Sequence, residues 1–523
     1  MAKMSIAQWI IVFAVVSAAL LQTIDTSIVN VTLTQMMGNL GATLEDISWV
    51  VTGYAAANVV MIALSGWLSA KLGRKNYFTA SIILFTVASV FCGTSTTVTQ
   101  LIIFRVIQGI GGGGLMSTAQ SILMQTFPRE EAGTATAIFG MGVIIGPTIG
   151  PTLGGYITDH LSWHWVFFIN IPVGILAAVL SFLYIEDHDE TTKVGNMDWF
   201  ALALLVSSIA SLQIVLETGQ RDDWFNSHFI TTLTIIAVLS GIIFIWKQLT
   251  VEHPLLDLKL LKHYRFAVGS FFGFAQGFGL YASAFVVPVF CQNLLGYTAQ
   301  QTGMLLLPGS VATAIAMPLV GRIMKSGKIR PVLLAAIGLS MFILFVLMLS
   351  GMTLSTGAGD FFLPLIIRGV GMGLLFVPMT TITLYDLKSI DMPQGAAFSN
   401  MLRQLGGSVG IAVMTTFITV RSVFHIRRLS DHVTMYSQAT IERMNAFVKL
   451  FMSKGDSYST AHTKAIAAIQ GTVTKQGIVL TYNDVFLVVG AFFLLCLPLL
   501  LLFVTKKKRD VEKEHEIELH FAE

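Results

Sequence analysis

Residues 9–33 read Trp9-Ile-Ile-Val-Phe-Ala-Val-Val-Ser-Ala-Ala-Leu-Leu21-Gln-Thr-Ile-Asp25-Thr-Ser-Ile-Val-Asn30-Val-Thr-Leu33. The run is long enough to cross a bilayer as a helix. It also contains an acid, Asp25. A carboxylate inside a membrane span costs about 2.5–3.5 kcal/mol on insertion scales, so it is rarely kept without a use. The use expected here is uptake and release of a proton, or of another cation, during transport. The plainer alternative is a carboxylate near a helix end, paired with a neighbouring helix for packing. Gln22 and Thr32 lie three and seven positions from Asp25, on the same expected helical face.

Composition extends this reading to the whole chain. The 523 residues are 54% hydrophobic and only 12% charged. A soluble protein would be about one quarter charged. Apolar runs of membrane length fall at 8–32, 47–70, 77–95, 98–123, 134–157, 165–185, 198–217, 229–249, 266–290, 301–324, 331–351, 360–385, 395–420 and 482–504. The expected fold class is therefore an all-α polytopic membrane protein with fourteen transmembrane helices. The first run is too long for a cleaved signal peptide and lacks a small-residue cleavage site. Cys92, Cys291 and Cys496 all lie in apolar spans and read as small core residues. A net charge of only +3 gives no argument for a nucleic-acid partner.

Short basic loops orient the chain. Lys71, Arg74 and Lys75, then Lys259, Lys262 and Arg265, then Lys325, Lys328 and Arg330, and finally Lys506–Arg509 all fall on one side. That side is expected to be the cytoplasm, and both termini share it. Arg421, Arg427 and Arg428 fall on the other side, in a long loop over 421–481. That loop carries a helical stripe of Ile441, Met444, Phe447, Val448 and Phe451. It is either a structured, functional insertion or a floppy connector. The polar stretch 186–197 reads as a solvated cytoplasmic linker.

An internal repeat divides the chain. Span four holds Arg105-Val-Ile-Gln108-Gly-Ile-Gly111, and span twelve holds Arg368-Gly-Val-Gly371-Met-Gly373. Gly66-Trp-Leu-Ser-Ala-Lys71-Leu-Gly73-Arg74 after span two is echoed by Gly321-Arg-Ile-Met-Lys-Ser-Gly327 after span ten. Two related six-helix bundles follow, with spans seven and eight inserted between them. Their expected limits are 1–185 for the N-terminal bundle, 186–265 for the linker and inserted helices, and 266–523 for the C-terminal bundle. Such repeats place a transporter's substrate site at their interface. Asp25 has no counterpart in span nine, which puts the proton chemistry in the first half.

Three further features carry chemistry. In span five, Gly142, Gly146, Gly150 and Gly154 recur every four residues, with Pro147 and Pro151 among them. The glycines form a ridge for close helix packing, and the prolines free carbonyls and bend the helix. The ridge is a packing face, and it also suits a bendable seam that closes the path on one side. Arg105 is the second costly charge: it can anchor a polar network, bind a substrate anion or act on the acid, or simply be satisfied by carbonyls. Arg403, beside Gln404 and after Asn400, is a similar candidate. The run Gly111–Gly114 lacks the Lys-Ser or Lys-Thr of a phosphate loop, so ATP is not the direct energy source. No catalytic constellation, metal-ligand set or cofactor motif stands out.

These residues resemble the major facilitator superfamily, and closely its fourteen-span drug:proton antiporters of the EmrB/QacA type. The first-helix motif is Asp25-Thr-Ser-Ile-Val-Asn30-Val, the fourth-helix motif runs from Arg105 to Gly113, and the fifth-helix antiporter motif runs from Gly142 to Gly155. Trp163-His-Trp-Val-Phe-Phe-Ile-Asn170-Ile-Pro172 adds a further match. Two departures stand out. Ala70 replaces the usual aspartate of the cytoplasmic loop motif that includes Gly66, Gly73 and Arg74, and His164 replaces a common arginine.

The resemblance implies a major facilitator fold. It also implies proton-driven efflux of hydrophobic or amphipathic compounds across a bacterial inner membrane, powered by the proton gradient without a cofactor. Asp25 and Arg105 would couple protons; Gln22, Asn58, Asn400, Met401, Arg403 and Gln404 are candidate substrate-binding residues. The long outer loop resembles that of the EmrB branch, which implies a periplasmic adaptor and an outer-membrane channel as partners. A dedicated exporter of one metabolite, such as a fatty acid or siderophore, is the nearest alternative. A membrane scaffold or sensor would have little reason to bear the cost of Asp25 and Arg105, and a proton-coupled importer is disfavoured by the fifth-helix motif.

Overall fold

The computed structural model describes residues 5–186 and 195–503. Most of the linker 186–197 and the basic cluster Lys506–Arg509 lie outside the described residues. The α-helices are α1 (Ile6–Leu40), α2 (Leu44–Leu72), α3 (Arg74–Gly93), α4 (Val98–Thr126), α5 (Ala132–His160), α6 (Trp165–Phe168), α7 (Asn170–Tyr184) and α8 (Trp199–Thr218). They continue with α9 (His228–Thr250), α10 (Tyr264–Asn293), α11 (Ala299–Lys325), α12 (Pro331–Leu349), α13 (Ala358–Tyr385), α14 (Met392–Ser430), α15 (Gln438–Ser453) and α16 (Tyr458–Cys496). Among the described residues, fourteen stretches are long and apolar enough to cross a membrane, as expected, with α6 and α7 sharing one of them.

Local signals set the ends. Ser5 with Gln8 and Thr43 with Asp46 form reciprocal caps that start α1 and α2. Gly41, at φ 61°, closes α1 in the left-handed region that glycine tolerates. The break between α6 and α7 at Ile169 lies just before Pro172, which has no N–H to return to Phe168. Gly73, at φ 82°, makes the turn from α2 to α3. The expected loop motif is therefore mostly helix: α2 runs through Gly66 to Leu72.

The expected loop 421–481 is corrected. α14 continues to Ser430, and α16 already begins at Tyr458. Polarity ends a membrane span, but only breaking residues end a helix. The breaks here come at 431–437 and at Gly455, whose φ is +96°. The result is a helical hairpin projecting from the fold. Met444, Phe447, Val448 and Phe451 of α15 pack on Ala461 and Ala465 of α16, so most of the stripe read from the sequence is used inside the hairpin. At its base, Arg421 and His425 of α14 hold Asp484 of α16, the His Nε2 at 2.7 Å.

The first and last groups of six membrane-spanning helices meet along α5 and α11, which touch from Gly133 against Gly321 at one end to Thr152 against Gly303 at the other. On the face that carries Arg74 and Lys325, called the basic face below, they are clasped. Gly66 of α2 lies on the backbone of Pro393 and Gln394. Gln125 donates to the Ser389 carbonyl at 3.0 Å, Thr381 donates to Thr136 at 3.1 Å, and Lys325 pairs with Glu131. The inserted α8 packs beside both groups, with Gln213 Nε2 donating to Ser408 of α14 at 2.8 Å. α9 lies outermost and exposes Ile235, Leu239, Ile242 and Trp246, as a lipid-facing helix should.

Candidate functional site

Three polar groupings inside the bundle bear on the candidate site. The first is built on Asp25. Its side chain is fully shut off, and Arg105 of α4 is only 1% exposed. Arg105 Nη1 donates to Asp25 Oδ2 at 2.6 Å. Gln108 Nε2 and Asn170 Nδ2 both donate to Oδ1 at 3.0 Å. Three donors from two neighbouring helices thus converge on one carboxylate. Both amides also donate to Ser89 of α3, at 3.1 and 3.0 Å.

Arg105 has further partners. Its Nε donates to the Val50 carbonyl at 3.3 Å, and its guanidinium lies 4.0 Å from the Tyr54 ring centre. The same Nη1 that bonds Asp25 also donates to Gln108 Oε1 at 2.7 Å. Gln108 therefore touches both charges. If Asp25 takes a proton, Arg105 keeps an acceptor and an aromatic face, so a buried cation is not left bare. Gln22 and Thr32, read on the same helical face as Asp25, make their hydrogen bonds elsewhere: Thr32 donates to its own Val29 carbonyl at 2.9 Å, and Gln22 to Asn58.

The second grouping holds Gln22, whose Nε2 donates to Asn58 Oδ1 at 3.2 Å. Tyr54 Oη, Asn58 Nδ2 and Gln22 Oε1 are buried without a partner. Tyr54 and Asn58 crowd Gly112: a methyl there would lie 2.9 Å from Tyr54 Oη and 3.0 Å from Asn58 Nδ2. Tyr54 belongs to this patch and stacks on Arg105, so the two groupings are adjacent.

The third grouping joins the two halves. Asn400 of α14 donates to Gln120 of α4. Arg403 Nη1 donates to Asn400 Oδ1 at 2.9 Å, and Nη2 to Thr380 Oγ1 at 3.4 Å. The guanidinium lies 4.7 Å from the Phe376 ring centre. Gln404 accepts from Tyr281 Oη at 3.1 Å. Met401, expected with these, packs instead in an apolar cluster with Val59, Trp67 and Leu205, where α2, α8 and α14 meet.

The glycine ridge of α5 does not face the other half. A side chain at Gly146 would collide with Thr23, at Gly150 with Ser27 and at Gly154 with Ile28, all on α1. The ridge holds α1, and with it Asp25, against α5. α5 stays helical through Pro147 and Pro151. At the basic face, Arg74 donates to Gln125 and, at 2.9 Å, to the Glu186 carbonyl.

The repeat is visible in the chemistry. Arg368 of α13 donates through Nε to Ser283 of α10 at 3.1 Å, as Arg105 of α4 donates to Asp25 of α1. Only the first half has a carboxylate there. Ser89, Asn170, Gln120 and Thr380 were not identified as site residues from the sequence. Asn170 stands in the motif from Trp163 to Pro172; single polar residues such as Ser89 leave no periodic trace. Glu217, near the end of α8, was also missed: Gln213 Nε2 donates to it at 3.0 Å.

A family model for the Major Facilitator Superfamily matches residues 15–411. The multidrug export protein EmrB of Escherichia coli is 33% identical over 499 residues, covering 94% of each chain. The fatty acid resistance protein FarB of Neisseria gonorrhoeae is 32% identical over 483 residues, covering 92% of this chain and 93% of its own. Among solved structures, the proton:xylose symporter XylE matches with a TM-score of 0.57 at 14% identity, covering 93% of this chain and 94% of its own. The human organic anion transporter TETRAN also scores 0.57, at 12% identity and covering 93% and 99%. The chain belongs to the major facilitator superfamily, a multi-pass membrane protein with that family's two six-helix bundles and two inserted helices.

Proposed function

We propose that this member of the superfamily is a proton-driven multidrug exporter of hydrophobic and amphipathic compounds, resident in a bacterial inner membrane with both termini in the cytoplasm. The observation that carries it is the Asp25–Arg105 pair, fully buried between α1 and α4. Burying two charges in a bilayer is costly. An exporter offsets that cost with a group whose charge changes during the cycle. Residues 1–185 and 266–503 move as two bodies, joined through 186–265, and expose the central polar groupings to one side at a time.

A proton reaching Asp25 from the outer side loosens Arg105, which turns to Gln108 and Tyr54. Substrate entering from the cytoplasm or inner leaflet favours the deprotonated state and the ion pair. The basic face is cytoplasmic by its Lys and Arg content. Its clasp through Gly66, Gln125 and Lys325 is closed in this conformation. Gln22 and Asn58 on one half, with Asn400, Arg403 and Gln404 on the other, contact the cargo. The hairpin 431–457 projects on the periplasmic side toward an adaptor that leads to an outer-membrane channel.

The breadth of cargo follows the multidrug relatives. A narrower exporter of one anionic amphiphile is the second reading, favoured by the FarB relative and the uncompensated Arg403. The test is efflux of a dye panel from inverted vesicles, with and without a proton gradient. Uptake of several unrelated dyes only when the lumen is acidified supports the proposal. Uptake independent of the gradient contradicts it.

A further inference from the structure

The three intramembrane arginines differ in company. Arg105 has Asp25. Among the described residues, Arg368 and Arg403 make no ion pair and meet only neutral partners. Arg403 is the more enclosed, at 5% exposure, and its Nε is buried without a hydrogen-bond partner. Across the interface, Gln120 is 1% exposed, and its Nε2 is also unpartnered. The Ser117 and Ser121 hydroxyls on the same helix are buried and unpartnered as well. A buried donor left unmade costs about 1–3 kcal/mol, and more when charged.

The orphans on Arg403 and Gln120 have a single polarity. Arg403 Nε and Gln120 Nε2 are donors only, and the serine hydroxyls can donate. The patch around Gly112 is different, because its orphans include the acceptor Gln22 Oε1 and no charge. One site therefore lacks an acceptor with negative charge, while the other suits neutral groups. Phe376 beside Arg403 and Tyr281 beside Gln404 add aromatic surface next to the cation.

Building on the export reading, we infer that Arg403, with Asn400 and Gln120, forms a binding subsite for the anionic headgroup of amphipathic cargo, a carboxylate above all. Its oxygens bond Arg403 Nε and Gln120 Nε2 and the apolar tail lies along Phe376. Asn400 and Gln120 belong to different halves, so the anion bridges them. It enters when the halves separate at the basic face and the Asn400–Gln120 bond opens.

The test measures binding of dansyl-undecanoate and its methyl ester to the full-length protein in lipid nanodiscs, without a gradient. Wild type binds the carboxylate at least tenfold tighter than the ester, in line with a charge-assisted contact. Arg403→Gln removes that preference, bringing carboxylate and ester affinities within about twofold of each other, while Arg403→Lys keeps part of it. Should Arg403→Gln fail to fold, Asn400→Asp decides, because it places an internal carboxylate on the guanidinium and lowers the carboxylate's affinity about tenfold relative to the ester's. An unchanged carboxylate preference in Arg403→Gln, or in Asn400→Asp, overturns the subsite. Wild type that binds both probes equally, yet still exports dyes with the gradient, also overturns the subsite and leaves the export reading intact. Wild type that exports nothing under a gradient overturns both.

Discussion

Asp25 Oδ2 lies 2.6 Å from Arg105 Nη1, with neither side chain more than 1% exposed. Without Asp25, Arg105 keeps the Val50 carbonyl, Gln108 and the Tyr54 ring, whereas Asp25 without Arg105 keeps only the neutral amides of Gln108 and Asn170. Removing the cation of such a pair leaves a buried carboxylate without its counter-charge, at about 3–5 kcal/mol, whereas removing both charges is far milder. Arg105→Gln is thus expected to destabilise the folded protein by that amount. Asp25→Asn with Arg105→Gln together should recover most of it. Thermal unfolding in detergent of the two single variants and the double variant closes the cycle. Additive losses in the double variant would show that the pair is not coupled.

Gly146→Val and Gly150→Leu place side chains into Thr23 and Ser27 of α1. Overpacking of this kind costs about 1–3 kcal/mol. Both variants should unfold at lower temperature, and any that insert should export poorly because α1 carries Asp25. Wild-type melting and wild-type transport in both would mean that α1 does not rest on the glycine ridge.

Asp198 starts α8 by accepting from the Ala201 N–H at 3.0 Å, and it pairs with Lys247 at 2.6 Å. The Lys247 ammonium, and after it the Ala201 N–H, holds the Asp198 carboxyl below its ordinary range. A carboxyl held low contributes stability above the ordinary value of about 4, and the contribution fades as pH falls below it. Asp198→Ala should cost about 1 kcal/mol at neutral pH as a lost cap. The gap between the two melting curves should narrow once the pH drops under about 4. A gap that widens on acidification would contradict the assignment.

Replacing 431–457 by a short Gly/Ser linker removes α15 and keeps the Arg421–His425–Asp484 contact at the hairpin base. Transport in vesicles should persist, because the segment holds no intramembrane group. Resistance of intact cells should fall, together with crosslinking to a periplasmic adaptor. The surface left for such a partner includes Met435 and Tyr436, which are 85% and 97% exposed. Full activity of the trimmed protein in both assays would make the hairpin a passive connector.

Asp25 and Arg105 were legible in the sequence because a charge in an apolar run is expensive and therefore conspicuous. Their neutral partners were not, since an Asn or Ser in a membrane span costs little and leaves no period. Gly142 to Gly154 announced a close helix contact, but spacing alone does not name the partner. That partner proved to be α1 and not the opposite half. The fourteen crossings were readable from length and hydropathy. The hairpin was half-readable, because polarity marked where α14 leaves the membrane but said nothing of the helix continuing to Ser430. Gln120 pairing with Asn400 is a tertiary fact with no local signature.

In the proposed cycle Asp25 exchanges a proton for cargo. The direct measurement is the pH change of a weakly buffered solution of purified protein when an exported dye is added. Wild type should release protons as dye binds, up to one per dye when Asp25 starts protonated, because cargo binding favours the ionised carboxylate and its bond to Arg105. Asp25→Asn should bind dye and release none. Equal proton release from the two proteins would contradict the account and place the coupling on another group.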